Sequence, residues 1–195
     1  MDVRFGGAIT VACCALSLHA QMVAGEPAPD LTVRDASGAP VKLSSCVDKK
    51  HVALLAPAVG HAADWADSIR RLVALDTVLL FQDGPASTVL IDRAGMVRRV
   101  LPGRLLRGAE LADFVGLWQS GKAFFVAYCA RCHGEDGDQT WCDPKPLTGV
   151  SRRLSADQIR EILHAGEPVN DEVIIRGERV KKSQLEAILV YLAGL

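Results

Sequence analysis

The chain has 195 residues, 49% of them hydrophobic, and a formal net charge of −1 with an isoelectric point near 6.5. That length suits one ordinary domain or two small ones. The charge leaves no basic face to neutralise a phosphate backbone, which argues against nucleic-acid binding. Residues 1–24 carry Arg4 ahead of an apolar run from Phe5 to Leu18, then small residues at Ala20 and Ala24, the layout of a secretory signal peptide. The run is shorter than the roughly 20 residues that a membrane span needs. Cleavage after Ala20 or Ala24 and export to the periplasm or beyond are expected, with membrane attachment only if the segment stays uncleaved. Export leaves Cys46, Cys129, Cys132 and Cys142 where thiols oxidise. Cys46 and Cys142 read either as a disulfide between the two halves of the chain or as unrelated buried thiols.

From Gly25 to Leu117, β-rich runs alternate with helical segments. HVALLAP (51–57), TVLLFQDG (77–84) and STVLIDRAG (87–95) read as strands, the first two nearly continuous apolar runs suited to a central sheet. Between the first two, HAADWADSIRRLVAL reads as a helix with Trp65, Ile69, Leu72 and Val73 on one side. Strand, helix, strand predicts a parallel pair with a crossover. DRAG, followed by MVRRV, predicts an antiparallel hairpin.

GEPAPDLTVRDASGAPVKLSS resembles the opening and first hairpin of the thioredoxin-like superfamily, particularly its peroxiredoxin and secreted thiol-disulfide members, and STVLIDRAG resembles the strand and turn after their active-site proline. The resemblance implies an α/β thioredoxin-like sandwich over residues 25–117. It does not carry that family's chemistry. The nucleophilic cysteine belongs at the start of the first long helix, where the helix dipole generates thiolate, and here that place reads APAVGHAADW, without sulfur. His61 reads as a solvated cap, and the proline falls at Pro85, one place early. A scaffold or docking module is the expected role.

GAELADFVGLW carries one stripe of Leu111, Phe114, Val115 and Trp118, and QSGK leads with almost no linker into GKAFFVAYCARCH, so the two halves should be packed together. Cys129 and Cys132 lie at i and i+3 with His133 immediately after. Two sulfurs at that spacing can fix a porphyrin by thioethers while the imidazole takes its iron, so Cys-x-x-Cys-His reads as a covalent haem site. A zinc site would want a second ligand pair, and only Cys142 and His164 follow.

Over residues 118–195 the chain resembles class I cytochrome c, an all-α domain. Gly121 and Phe125 stand eight and four residues before Cys129, matching that family's helix-crossing positions, where glycine permits close backbone approach. SQLEAILVYLAGL supplies the crossing helix, with Ser183 and Glu186 as a capping box, Leu185, Ile188, Leu189 and Leu192 as the apolar stripe, and Tyr191 as the family's aromatic. PKPLTGV resembles the proline loop whose carbonyl orients the proximal histidine, with Pro144 and Pro146 flanking the expected place at Lys145. SADQIREILHAG reads as a helix capped by Ser155 and Gln158 and stopped by Gly166.

No methionine follows His133. The family's axial methionine would fall near Val173 to Ile175, which cannot bind iron. The sixth position is then open beneath an apolar wall, or filled by His164, Lys181 or Lys182, or reached by Met96. His164 lies about 140° around its helix from Ile159, which favours solvent. Lys181 and Lys182 are also expected to face water. The resemblance implies one covalent haem c and electron transfer with a redox protein partner, with Glu135, Asp136 and Asp138 as a charged rim or a plain solvated loop. Two rivals remain: a five-coordinate haem sensor or peroxidase-like protein, and an assembly protein whose front domain holds a client.

Overall fold

The structure is a computed structural model describing residues 22–56, 65–140, 146–163, 172–175 and 178–195. The segment up to residue 21, His61, Cys142, Pro144, Lys145, His164 and Gly166 lie outside the described residues.

The opening hairpin forms as expected, β1 (Thr32–Arg34) pairing with β2 (Pro40–Lys42). Its turn is tied by Asp35, whose Oδ1 accepts from the amides of Ser37 at 2.8 Å and Ala39 at 3.0 Å. The bonds from Ser37 hold that carboxyl below the usual carboxylate range. Four further strands follow: β3 (His51–Ala56), β4 (Thr77–Phe81), β5 (Ser87–Ile91) and β6 (Val97–Pro102). The sheet runs in the order β2-β1-β4-β3-β5-β6. β3 and β4 are parallel, with α1 (Ala66–Ala74) as their crossover, while β5 and β6 run antiparallel to their neighbours. The DRAG turn closes as predicted, Gly95 donating to the Asp92 carbonyl at 3.0 Å with φ of +75°. The parallel pair followed by an antiparallel hairpin is the connectivity that the sequence leads one to expect. Residues 82–86 alone join β4 to β5, without a helix between them.

Strand alternation divides the core in two. Ala53, Leu55, Leu79, Phe81 and Leu90 face the helices, while Val52, Leu54, Leu80, Val89 and Ile91 face the N-terminal segment. Met22 belongs to that second layer and is 4% exposed. Cleavage after Ala24 would therefore strip a core side chain, and cleavage after Ala20 would keep it, on the sheet face turned away from the haem motif. On α1 the inward residues include Trp65, Ser68 and Leu72, whereas Val73 is 60% exposed, a correction to the expected stripe. Spacing explains it: residues 65, 68, 69 and 72 share one helical face and 73 has rotated off it. Ser68 is buried because its Oγ accepts from the Gly108 amide at 2.7 Å.

The two expected helices around QSGK are one helix, α2 (Gly108–Tyr128), since no residue in QSGK forbids helical φ and ψ. Its N-terminal half covers the sheet and its C-terminal half carries the haem motif. The short α3 (Ala130–His133) follows, then α4 (Val150–Arg153), α5 (Ala156–Leu163), a hairpin of β7 (Glu172–Ile175) and β8 (Glu178–Lys181), and α6 (Lys182–Leu192). The α5 cap is as expected, Ser155 and Gln158 exchanging bonds of 2.8 Å and 3.2 Å. The α6 cap is not. Helix α6 starts earlier, the Lys181 amide donating to the Gln184 side chain at 2.9 Å, and Glu186 instead accepts from Arg160 at 3.1 Å.

α2 and α6 cross at Gly121, where a Cβ would stand 1.9 Å from the Ala187 carbonyl oxygen and 2.8 Å from the Tyr191 Cβ. Around the crossing, Trp118, Phe125 and Tyr191 are fully buried, with Phe125 and Tyr191 ring centres 5.1 Å apart. His51 of β3 packs edge-on to Trp118 at 5.3 Å, and burial pushes its imidazole below the ordinary value. Front sheet and back helices thus share one apolar core.

Candidate haem site

The motif sits at the end of α2. Cys129 caps that helix, and both the Cys132 and His133 amides donate to its carbonyl at 3.1 Å, so one turn of backbone gathers the three side-chain positions. Cys129 is 8% exposed and His133 6%. Helix α3 stops at Gly134, whose φ of +73° reverses the chain. The fold thus brings Cys129, Cys132 and His133 together, one turn beyond Phe125 and the helix crossing. Two cysteine sulfurs and an imidazole within one turn are the donor set that a covalent haem requires once both sulfurs are reduced, so the residues present fit the group. Once bound, haem supplies a one-electron couple at its iron.

Cys132 is disulfide-bonded, Cys129 is in no disulfide, and Cys46 is a free thiol. Of the two readings of Cys46 and Cys142 the bridge is therefore excluded, and packing and ion pairs join the front sheet to the back helices.

The segment after His133 is closely held. Gly137, with φ of +71°, donates to Gly134 at 3.2 Å, Gln139 donates to the His133 carbonyl at 2.9 Å, and Leu147 donates to the Gly137 carbonyl at 2.7 Å. Tyr191 donates its hydroxyl to the Glu135 carbonyl at 3.0 Å, and burial pushes the phenol up to about 12, so it stays a proton donor. In the proline loop, the Pro146 carbonyl accepts from the Arg153 guanidinium.

Among the alternatives for the sixth position, Lys181 and Lys182 are exposed as expected. Met96 sits in the β5–β6 turn, its amide on Asp92 at 3.0 Å and its backbone bridged to Pro27. Val173 to Ile175 form a strand, with Val173 opposite Val180. Glu135, Asp136 and Asp138 are exposed at the surface, yet Asp136 is engaged within the molecule. Its Oδ1 accepts from Arg98 of β6 at 3.0 Å, and Arg98 also donates to Asp92 at 2.6 Å. Sequence reading missed Arg98, because an arginine in MVRRV looks like any solvent-facing strand residue. The only hint was its place beside a turn aspartate.

Residues 116–192 match the family model "Cytochrome C oxidase, cbb3-type, subunit III". These residues form a cytochrome c domain. No curated protein is similar enough in sequence to count as a match. Among solved structures, a candidate protein disulfide isomerase from Bacteroides thetaiotaomicron is similar at 17% identity and a TM-score of 0.36, over 58% of this chain and 96% of its own. The cytochrome c domain is an electron-transfer domain that binds haem, and such transfer implies a redox partner.

Proposed function

We propose that the protein is an exported c-type cytochrome carrying one haem, attached through Cys129 and Cys132 with His133 on the iron, and that it passes single electrons to or from a protein partner in the periplasm. The observation that supports this most is the coincidence of motif and crossing: Cys129, Cys132 and His133 occupy one turn immediately after the Gly121, Phe125 and Tyr191 contact. Apolar surface borders the motif, with Tyr128 46% and Val126 39% exposed, as an encounter surface requires. The front domain, with no sulfur between Ala56 and Trp65, serves as scaffold.

The sixth iron position is open or held weakly, since no methionine follows His133 and both nearby lysines face water. Without thioether ligation the potential lies below that of a histidine–methionine haem. Carbon monoxide added to the ferrous protein is expected to shift the Soret band rapidly. An unchanged spectrum would assign a strong sixth ligand, with His164 the first to replace.

A further inference from the structure

Arg98 crosses from the front sheet to the loop that leaves the haem motif. Its side chain is 6% exposed, and its two arms reach Asp92, 2% exposed, and Asp136, 65% exposed. Burial works against the guanidinium charge, but the charge and hydrogen bond of Asp92, with the bond to Asp136, outweigh it and raise the pKa. Asp92 is itself fixed, accepting also from the Met96 amide at 3.0 Å. Its carboxylate already matches the cation in charge, so what the second arm adds is geometry: a planar fork sets the direction of both bonds. Asp136 lies three residues beyond His133, in a turn whose next anchor is the Tyr191 bond to Glu135. The backbone of the same arginine is pressed against the end of the chain, where a Cβ on Gly194 would stand 2.1 Å from the Arg98 carbonyl oxygen, and Arg99 donates to the Ala193 carbonyl at 3.1 Å. β6 therefore grips both the loop after the motif and the end of α6.

We infer that Arg98 is a positioning residue for His133: through Asp136 it fixes the loop that leaves His133 and so restrains the backbone that carries the imidazole, and the front domain acts as a clamp on the haem rather than as a redox partner in its own right. This rests on the haem reading above.

The test uses the full-length holoprotein with three substitutions. Asp136→Asn removes the carboxylate charge from the loop's end of the contact, leaving a neutral amide oxygen as the weaker acceptor, and leaves Arg98 with Asp92. Arg98→Lys keeps the cation but lacks the second arm. Asp138→Asn is the control, removing the same charge from an exposed neighbour that makes no bond to Arg98. Ferric electron paramagnetic resonance reports the axial imidazole, and thermal unfolding is read beside it. Asp136→Asn and Arg98→Lys are expected to shift or split the g-values, while Asp138→Asn keeps those of the unsubstituted protein. At the exposed position 136, the unfolding temperature should barely move. Identical g-values in Asp136→Asn and Asp138→Asn would overturn the proposal while leaving the haem intact. A colourless parent protein would overturn the haem reading and this one together.

Discussion

Gly121→Ala is expected to open the helix crossing and lower the melting temperature by about 6–12 °C, on a cost of about 3 kcal/mol for overpacking a rigid contact. The added methyl meets the Ala187 carbonyl oxygen at 1.9 Å, its carbon at 2.6 Å and the Tyr191 Cβ at 2.8 Å. Two of those atoms are backbone, so no rotamer change relieves the clash and the helices must separate. Separation loosens Phe125 against Tyr191 and carries away the hydroxyl that holds the Glu135 carbonyl. Gly116→Ala, five residues earlier on the same helix, is the matched control. Its nearest neighbour would be Leu75 Cδ1 at 4.0 Å, and alanine improves helix propensity by up to about 1 kcal/mol. Calorimetry should show the first variant falling and the second level or slightly raised; equal melting temperatures would mean that the crossing is looser than described.

Haem attachment is expected to depend on reduction of Cys132. In the structure that sulfur is in a disulfide while Cys129 is in none, and one sulfur cannot hold a disulfide and a thioether together. Adding a thiol across a haem vinyl group requires S–H, so two electrons and two protons from an external dithiol must first open the disulfide. Protein matured without a reductant should therefore carry haem through Cys129 alone, leaving one vinyl group intact and moving the pyridine haemochrome band to the red. Maturation with a reductant should give the two-thioether band. His133→Ala, in contrast, should keep covalent haem but lose its proximal ligand, giving a coloured protein with an altered ligation spectrum. If both maturation conditions yield the same two-thioether product, the disulfide is no obstacle to attachment.

The parts of this fold that were legible in the sequence are those fixed by local chemistry. Near-continuous apolar runs gave β3 and β4, DRAG gave the β5–β6 turn, and Ser155 with Gln158 gave the α5 cap. Gly121 and Tyr191 were placed by resemblance and meet where that implied. What escaped was set by tertiary context. QSGK contains Gly121, a poor helix former, so packing on both sides makes one helix of Gly108–Tyr128. Helix α6 could start at several residues, and the bond chosen was that of Gln184, because Glu186 had Arg160 across the bundle. Met22 packs on the sheet, a contact that no local pattern announces. Arg98 carried little sequence signal beyond its place beside a turn aspartate, since its worth depends on Asp136, 38 residues away.

The central claim, a porphyrin bonded to the chain at Cys129 and Cys132 with His133 on its iron, is tested most directly by the intact mass of denatured protein produced alongside haem-attachment machinery. The account predicts the mass of the processed polypeptide plus one haem, surviving acid extraction and lost in a Cys129→Ala, Cys132→Ala double variant. A mass equal to that of bare polypeptide, or haem removed by the acid, would contradict it.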